Sequence, residues 1–306
     1  MPCRVCNADS GSSVFAFGKQ FWRCSICFTV QLEITRVQYE ALEITYDSGS
    51  WIMSQDPQTI EKLLQIDEKE AFLRKYAPRG AHRLLDIGCG MGGYLKAGER
   101  LGMNGVGYEP SGPHSQIARE VFGLKVRPNY FTGTDEQFDL ILLSHVIEHI
   151  FDPEPFLATI AKSLADGGRL VVITPNAASI SARASGAKWP MLVPQDHVTM
   201  LTPEAMSRIV PPQTSLTIAT SEYPYEFAAT LVAAVRAKPA TLVGAVSPHL
   251  TKDGLLQRAM KAALTIASFP AYLMAMASNR RGALIAIFDR TLSRHEVVVK
   301  DMLAEN

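Results

Sequence analysis

Arg83-Leu84-Leu85-Asp86-Ile87-Gly88-Cys89-Gly90-Met91-Gly92-Gly93 is an apolar run that stops in four glycines and leads into a helical pattern. Leu84, Leu85 and Ile87 suit a strand buried on both faces, as in a parallel sheet. Gly88, Gly90, Gly92 and Gly93 let the backbone turn tightly and approach a ligand closely, with the amides of the next helix directed at it. A strand, a glycine loop and a helix in succession form the entrance to a nucleotide-type site in a doubly wound sheet. Gly88-x-Gly90-x-x-Gly93 also satisfies the dinucleotide fingerprint, so an NAD-dependent dehydrogenase is one reading.

Asp86 turns the reading another way. A carboxylate at the strand end would repel a pyrophosphate but would meet an ammonium or another donor. About twenty residues on, the spacing at which such folds place a ribose-binding acid, Gly105-Val106-Gly107-Tyr108-Glu109 reads as a second strand ending in an acid placed to accept from two ribose hydroxyls. Leu84–Gly90 resembles the first motif of class I S-adenosylmethionine-dependent methyltransferases, and Gly107-Tyr108-Glu109-Pro110-Ser111 their second. The similarity runs on through 138–150, Phe-Asp-Leu-Ile-Leu-Leu-Ser-His-Val-Ile-Glu-His-Ile, and 167–176, Gly-Gly-Arg-Leu-Val-Val-Ile-Thr-Pro-Asn. This resemblance implies an α/β fold with a Rossmann-like seven-stranded sheet and S-adenosylmethionine as cofactor. It also implies a donor site at Asp86, Gly88, Gly90 and Glu109, with the backbone of Ser144 and His145 along the methionine part.

The 306 residues carry 30 basic and 30 acidic side chains, and neutrality argues against a dedicated nucleic-acid binder. Met1-Pro2-Cys3 leads into cysteines and polar residues rather than a cleavable signal, which predicts a cytoplasmic protein. Cys3-x-x-Cys6 and Cys24-x-x-Cys27 have the spacing of a four-thiolate zinc ribbon, with two disulfides as the alternative. Cys89 remains as a small residue in a tight turn.

The expected organisation is a ribbon over 1–32, a helical lead-in and lid over 33–80, an α/β core over 81–222, an insertion over 223–280 and a last strand with a tail over 281–306. The ribbon carries strands Val14–Phe17 and Gln20–Arg23. In the lead-in, 39–46 and Thr59–Tyr76 show helical spacing, with Tyr46 and Trp51 in a turn-rich break where a lid would sit, and Tyr46 a candidate cofactor contact. Strands are predicted at 83–87, 104–108, 124–127, 138–143, 168–173, 215–221 and 282–288, and helices at 92–101, 112–122, 153–165 and 203–210. The uncharged run 262–277 predicts a packed helix in a substrate wall or subunit contact, with a membrane-surface segment as the alternative and no transmembrane span.

Methyl transfer from a sulfonium needs alignment and removal of a proton from the acceptor. His145, His149 and His197 fall at the carboxyl end of the sheet. His197, beside Asp196 in a loop after the fifth strand, is the first candidate base, Asp196 favouring its protonated ring, and His149 the second. The ribbon and methyltransferase core together resemble bacterial methyltransferases of nucleotide-linked deoxysugars, whose acid-histidine-aromatic segment after the fifth strand supplies the base. Asp196-His197 aligns with that segment, with Asp for Glu. This implies O- or C-methylation of a sugar, a sugar nucleotide or another small metabolite. The rival is a nucleic-acid methyltransferase gripping RNA through Arg4, Lys19, Arg23, Phe21 and Trp22, although no Asn-Pro-Pro-Tyr-like motif for an extruded base is present.

Overall fold

The computed structural model describes residues 1–42, 55–192, 196–221 and 281–291. Strands β1 (Gly11–Ala16) and β2 (Lys19–Cys24) form an antiparallel hairpin that turns through Phe17 and Gly18, both at positive φ, and β3 (Val30–Leu32) adds beside β2. Helix α1 (Arg36–Glu40) starts at Thr35, whose hydroxyl and the Gln38 side chain reciprocally satisfy the first-turn amides. It begins ahead of the expected 39–46 stretch, and Tyr46 and Trp51 lie outside the described residues.

The helix expected over Thr59–Tyr76 is two helices, α2 (Pro57–Leu63), capped by Asp56, and α3 (Ile66–Tyr76). Gln65 breaks them apart at φ +50°. The orphaned Leu64 carbonyl accepts from Lys69 Nζ at 2.7 Å. It also lies where a Cβ on Gly93 would come within 2.8 Å, so the break bends the chain down onto the glycine loop.

The core continues as β4 (Arg83–Ile87), α4 (Gly93–Arg100), β5 (Asn104–Tyr108), α5 (Gly112–Glu120), β6 (Val126–Arg127), β7 (Phe138–Ser144), a 3-10 turn (Ile147–His149), α6 (Pro153–Ala161), β8 (Leu164–Pro175), α7 (Ile180–Ser185), β9 (Thr199–Met200), α8 (Pro203–Met206), β10 (Thr214–Ser221) and β11 (Ala283–Arg290). Seven of these strands form a sheet in the order β10-β11-β8-β7-β4-β5-β6. The run from β8 to β6 is parallel, and β11 is antiparallel to both neighbours. This is the Rossmann-like seven-stranded sheet that the motifs imply. The helix expected over 153–165 stops at Ala161, because Leu164 already pairs with Phe138 and an irregularity separates that pair from Leu140↔Arg169. The strand expected at 124–127 keeps only its last two residues, and the helix expected over 203–210 only its first four.

Leu84, Leu85, Leu140, Leu142, Leu143 and Leu170 are fully buried, and each such side chain contributes about 1.5–3 kcal/mol through water exclusion. The ribbon does not stand apart from this core. Strand β9 leaves the core to pair with β3, and Cys3, Val5 and Trp22 share one apolar cluster with Ile147, Leu157, Leu201 and Met206. Too small to enclose a core of its own, the unit uses that of its neighbour. No helix among the described residues is long and apolar enough to cross a membrane. The insertion over 223–280, with its run 262–277, lies outside the described residues.

Candidate active site

The glycine loop is held from below by β5. The amides of Gly88 and Cys89 donate to the Tyr108 carbonyl at 2.8 and 3.1 Å. Glu109, 6% exposed, accepts from Gly90 N at 2.7 Å through Oε2 and from Ser111 N at 2.8 Å through Oε1. The acid at the end of the second strand therefore locks the loop. Gly88, at φ +72°, abuts the turn after β7: a Cβ there would sit 2.3 Å from Val146 Cγ2. Loop and turn thus close on each other at the carboxyl edge of the sheet.

Asp86 is 1% exposed, and neither carboxylate oxygen has a hydrogen-bond partner among the described residues. An unpartnered buried carboxylate costs several kcal/mol, so the site is built for a donor from outside the chain. Burial pushes its pKa up to about 7, against the pull of Lys69 and with the help of Glu109. Lys69 lies 5.5 Å over the Tyr94 ring, and Tyr94 is hydrogen-bonded to Ser144. Burial pushes the Lys69 ammonium down, with Asp86 and Glu68 opposing. Lys69 and Tyr94 escape a motif-based reading, because helical periodicity marks them only as members of α3 and α4. The donor set fits S-adenosylmethionine: a carboxylate for its ammonium, an ammonium for its carboxylate and Glu109 for its ribose.

The second half of the site joins the 3-10 turn to the loop before β9. Glu148 is fully buried, its Oε1 facing His145 Nδ1 at 3.2 Å and its Oε2 accepting from Thr174 Oγ1 at 3.0 Å. His149 Nδ1 lies 3.1 Å from both the Asp196 carbonyl and Asp196 Oδ2. Both are acceptors, so this nitrogen carries the proton. His197 Nδ1 is 2.7 Å from the Met191 carbonyl, which fixes its proton there and leaves Nε2 with a free lone pair. The two rings stand edge to face with centroids 4.9 Å apart.

Asp196 was expected to favour the protonated form of His197. Its hydrogen bonds go to His149, while its charge still acts on His197 in the expected direction, as the smallest of the influences there. Burial holds the His197 pKa below its usual value, the positive His149 adding to this while Glu148 opposes it. Burial acts the same way on His149, but the Asp196 carboxylate and Glu148 override it and hold that pKa above the usual value. Glu148 itself stays ionised, because His145 and the histidine charges outweigh its burial. The two neighbouring histidines are thus shifted in opposite directions, His149 upward and His197 downward. One donor atom each of Glu148, His149 and His197 lie within 4.8 Å of one another. Both Glu148 oxygens are already hydrogen-bonded, to His145 and to Thr174.

The sulfur atoms of Cys3, Cys6, Cys24 and Cys27 lie within 4.8 Å of one another, with Cys3–Cys27 and Cys6–Cys24 at 3.5 Å. A disulfide needs about 2.05 Å, whereas sulfurs bound at ~2.3 Å to a tetrahedral zinc stand about 3.8 Å apart. The amide of Ile26 points at Cys24 Sγ at 3.3 Å, as in a metal knuckle. Elemental analysis of the purified chain is expected to give about one zinc, the stoichiometry of a four-thiolate site. A metal-free preparation with paired disulfides would overturn this assignment.

The methyltransferase domain family matches residues 57–211, just over half of the chain. A ubiquinone biosynthesis O-methyltransferase of Cereibacter sphaeroides is 35% identical over 119 residues, 36% of this chain and 48% of the relative. That of Rhizobium etli is 31% identical over 140 residues, 41% and 56% of the two chains. The chain spans about half the length of the curated relatives it matches. Among solved structures, the plantazolicin methyltransferase BpumL in complex with SAH aligns at a TM-score of 0.47 and 15% identity, over 83% of this chain and 93% of that one. Coclaurine N-methyltransferase, bound to N-methylheliamine and SAH, aligns at 0.45 and 15%, over 73% and 72%.

Proposed function

Because the chain belongs to the methyltransferase domain family, we propose that it transfers the methyl group of S-adenosylmethionine to a hydroxyl of a small-molecule acceptor, with His197 as general base. The observation that carries this reading is Asp86, buried with both oxygens unpartnered beside a glycine loop locked by Glu109.

The donor, when bound, supplies an electrophilic methyl carbon whose bond to sulfur breaks, the electron pair returning to sulfur, as the acceptor oxygen bonds to carbon. The chain's part is alignment and proton removal. Asp86 and Lys69 hold the two charges of the amino-acid end, and Glu109 the ribose. The acceptor hydroxyl gives its proton to Nε2 of His197 while Nδ1–H stays on the Met191 carbonyl. Burial, helped by His149, favours the neutral form of His197 until that moment.

A nucleotide-linked sugar is the first acceptor class, on the strength of the ribbon and the Asp196-His197 segment. A phenolic hydroxyl is the second, because the curated relatives are named for O-methylation in ubiquinone biosynthesis. Incubation with methyl-labelled donor and a panel of nucleotide-linked deoxysugars and dihydroxylated phenols separates the two by which product carries label.

Calorimetry is expected to show micromolar donor binding, an affinity near −8 kcal/mol, and release of a proton. Asp86, with a pKa of about 7 in the free protein, is about half protonated at pH 7 and loses that proton when an ammonium stabilises the charged form. Titrations at pH 7 in buffers of different ionisation enthalpy should therefore report release of about half a proton, fading above about pH 8 and absent in Asp86→Asn. Binding of NADH in place of S-adenosylmethionine would instead establish a dinucleotide site.

A further inference from the structure

Arg4 stands between Cys3 and Cys6 in the first knuckle, a place where a side chain is ordinarily solvated. Here its guanidinium is folded under the ribbon onto the chain that carries His197. Nη1 donates to the Val198 carbonyl at 2.8 Å and reaches Thr199 Oγ1 at 3.5 Å. Nη2 donates to the carbonyls of Leu32 at 2.7 Å and Ile34 at 3.1 Å. The guanidinium carbon lies 3.9 Å from the centre of the Phe151 ring, just beyond the His149 turn. Nε is buried without a hydrogen-bond partner among the described residues. Taking a guanidinium out of water onto neutral carbonyls costs several kcal/mol unless a charge compensates. The thiolate of Cys3 acts in that direction on Arg4, and four thiolates around one divalent ion leave about two negative charges close by.

The atoms that Arg4 grips are those that place the ring of His197. The Val198 amide, in the peptide joining it to His197, donates to the Glu148 carbonyl at 2.8 Å. The Val198 carbonyl accepts from both Arg4 and the Leu32 amide, the latter at 3.0 Å. Beyond it, Thr199 and Met200 pair with Gln31 and Val30 of the ribbon, and Thr202 donates to the Cys27 carbonyl at 2.6 Å. The segment after His197 is therefore fastened to both knuckles, while among the described residues the ring meets the Met191 carbonyl through Nδ1 and the edge of His149.

We propose that Arg4 is a positioning residue for the base: set between two thiolates of the ribbon, its guanidinium fixes the backbone at Val198 and with it the ring of His197, so that the four-cysteine site governs the geometry of proton removal as well as the local fold. The consequence for turnover rests on His197 being the base; the mechanical coupling does not. A displacement of about 1 Å at a reacting group can cost on the order of a hundredfold in rate.

The test uses the full-length zinc-loaded chain, labelled with ¹⁵N-histidine and saturated with S-adenosylhomocysteine, in wild-type, Arg4→Met and Arg4→Lys forms. In the wild type His197 should show a single Nδ1-protonated tautomer when neutral. Arg4→Met should mix the two tautomers and move the His197 titration toward the reference value near 6.5, with zinc content unchanged and S-adenosylhomocysteine affinity within about twofold. Arg4→Lys keeps the charge but not the fork, and should fall between. Turnover on the acceptor found by labelling should drop about tenfold to a hundredfold at unchanged donor KM. Unchanged His197 signals in Arg4→Met overturn the proposal. Should that variant lose zinc, unchanged His197 signals in zinc-replete Arg4→Lys overturn it instead. A His197→Asn variant with normal turnover removes the base assignment alone, because the tautomer measurement still reads the coupling.

Discussion

Replacing His197 by asparagine is expected to lower turnover by about a hundredfold to ten-thousandfold, the range that general-base removal typically covers, with donor affinity within about twofold of the wild type. The Nε2 lone pair made available by the Met191 hydrogen bond disappears, while Asp86, Lys69 and Glu109 keep their places. In the wild type the base must be neutral, so kcat/KM falls as pH drops through the His197 pKa. Burial sets that pKa below the usual value, and the acidic limb should accordingly lie below the reference of about 6.5. His149→Gln removes the positive neighbour that depresses it, so the limb should move upward with a smaller loss of rate. Near-normal turnover in His197→Asn, with a large loss in His149→Gln, would move the base to the turn after β7. Loss of donor affinity in both would make these residues part of the cofactor site instead.

Glu109→Ala should weaken donor binding by roughly thirtyfold to a thousandfold, about 2–4 kcal/mol. That is the scale of losing one or two hydrogen bonds to a charged group together with the order they impose. In the proposed mode the carboxylate would meet the ribose, and it already takes the amides of Gly90 and Ser111, so its removal frees the glycine loop that the donor must find already shaped. Glu109→Gln retains one acceptor oxygen and should lie between. Calorimetry with S-adenosylhomocysteine measures both variants without an acceptor. A variant that binds as tightly as the wild type would remove Glu109 from donor binding, both as a ribose partner and as the lock of the loop.

The strand–glycine loop–helix unit, the acid ending β5 and the paired cysteines were legible in the sequence because each rests on local chemistry. A buried parallel strand is a continuous apolar run, a tight turn toward a ligand requires glycine, and a metal knuckle fixes the spacing of its ligands. From such local signals the α/β class, most element positions and the juxtaposition of Asp86, Gly88, Gly90 and Glu109 at the carboxyl edge of the sheet follow. The break at Gln65 did not, since α2 and α3 share one apolar periodicity and only the approach to Gly93 calls for the bend.

What the tertiary structure alone decided are the partnerships across long sequence separations. The neighbour of His197 in sequence is Asp196, yet the fold hands Asp196 to His149 and gives His197 the Met191 carbonyl. The two rings acquire opposite pKa displacements only when burial and these partners act together. Lys69 comes near Asp86 and the glycine loop only because the chain folds back at Gln65. Arg4 meets Val198 across 194 residues of chain, through a strand pairing that no local pattern encodes. Hydrogen-bond partners and burial are properties of packed surfaces, and residue order specifies them only after every apolar face has found its cover.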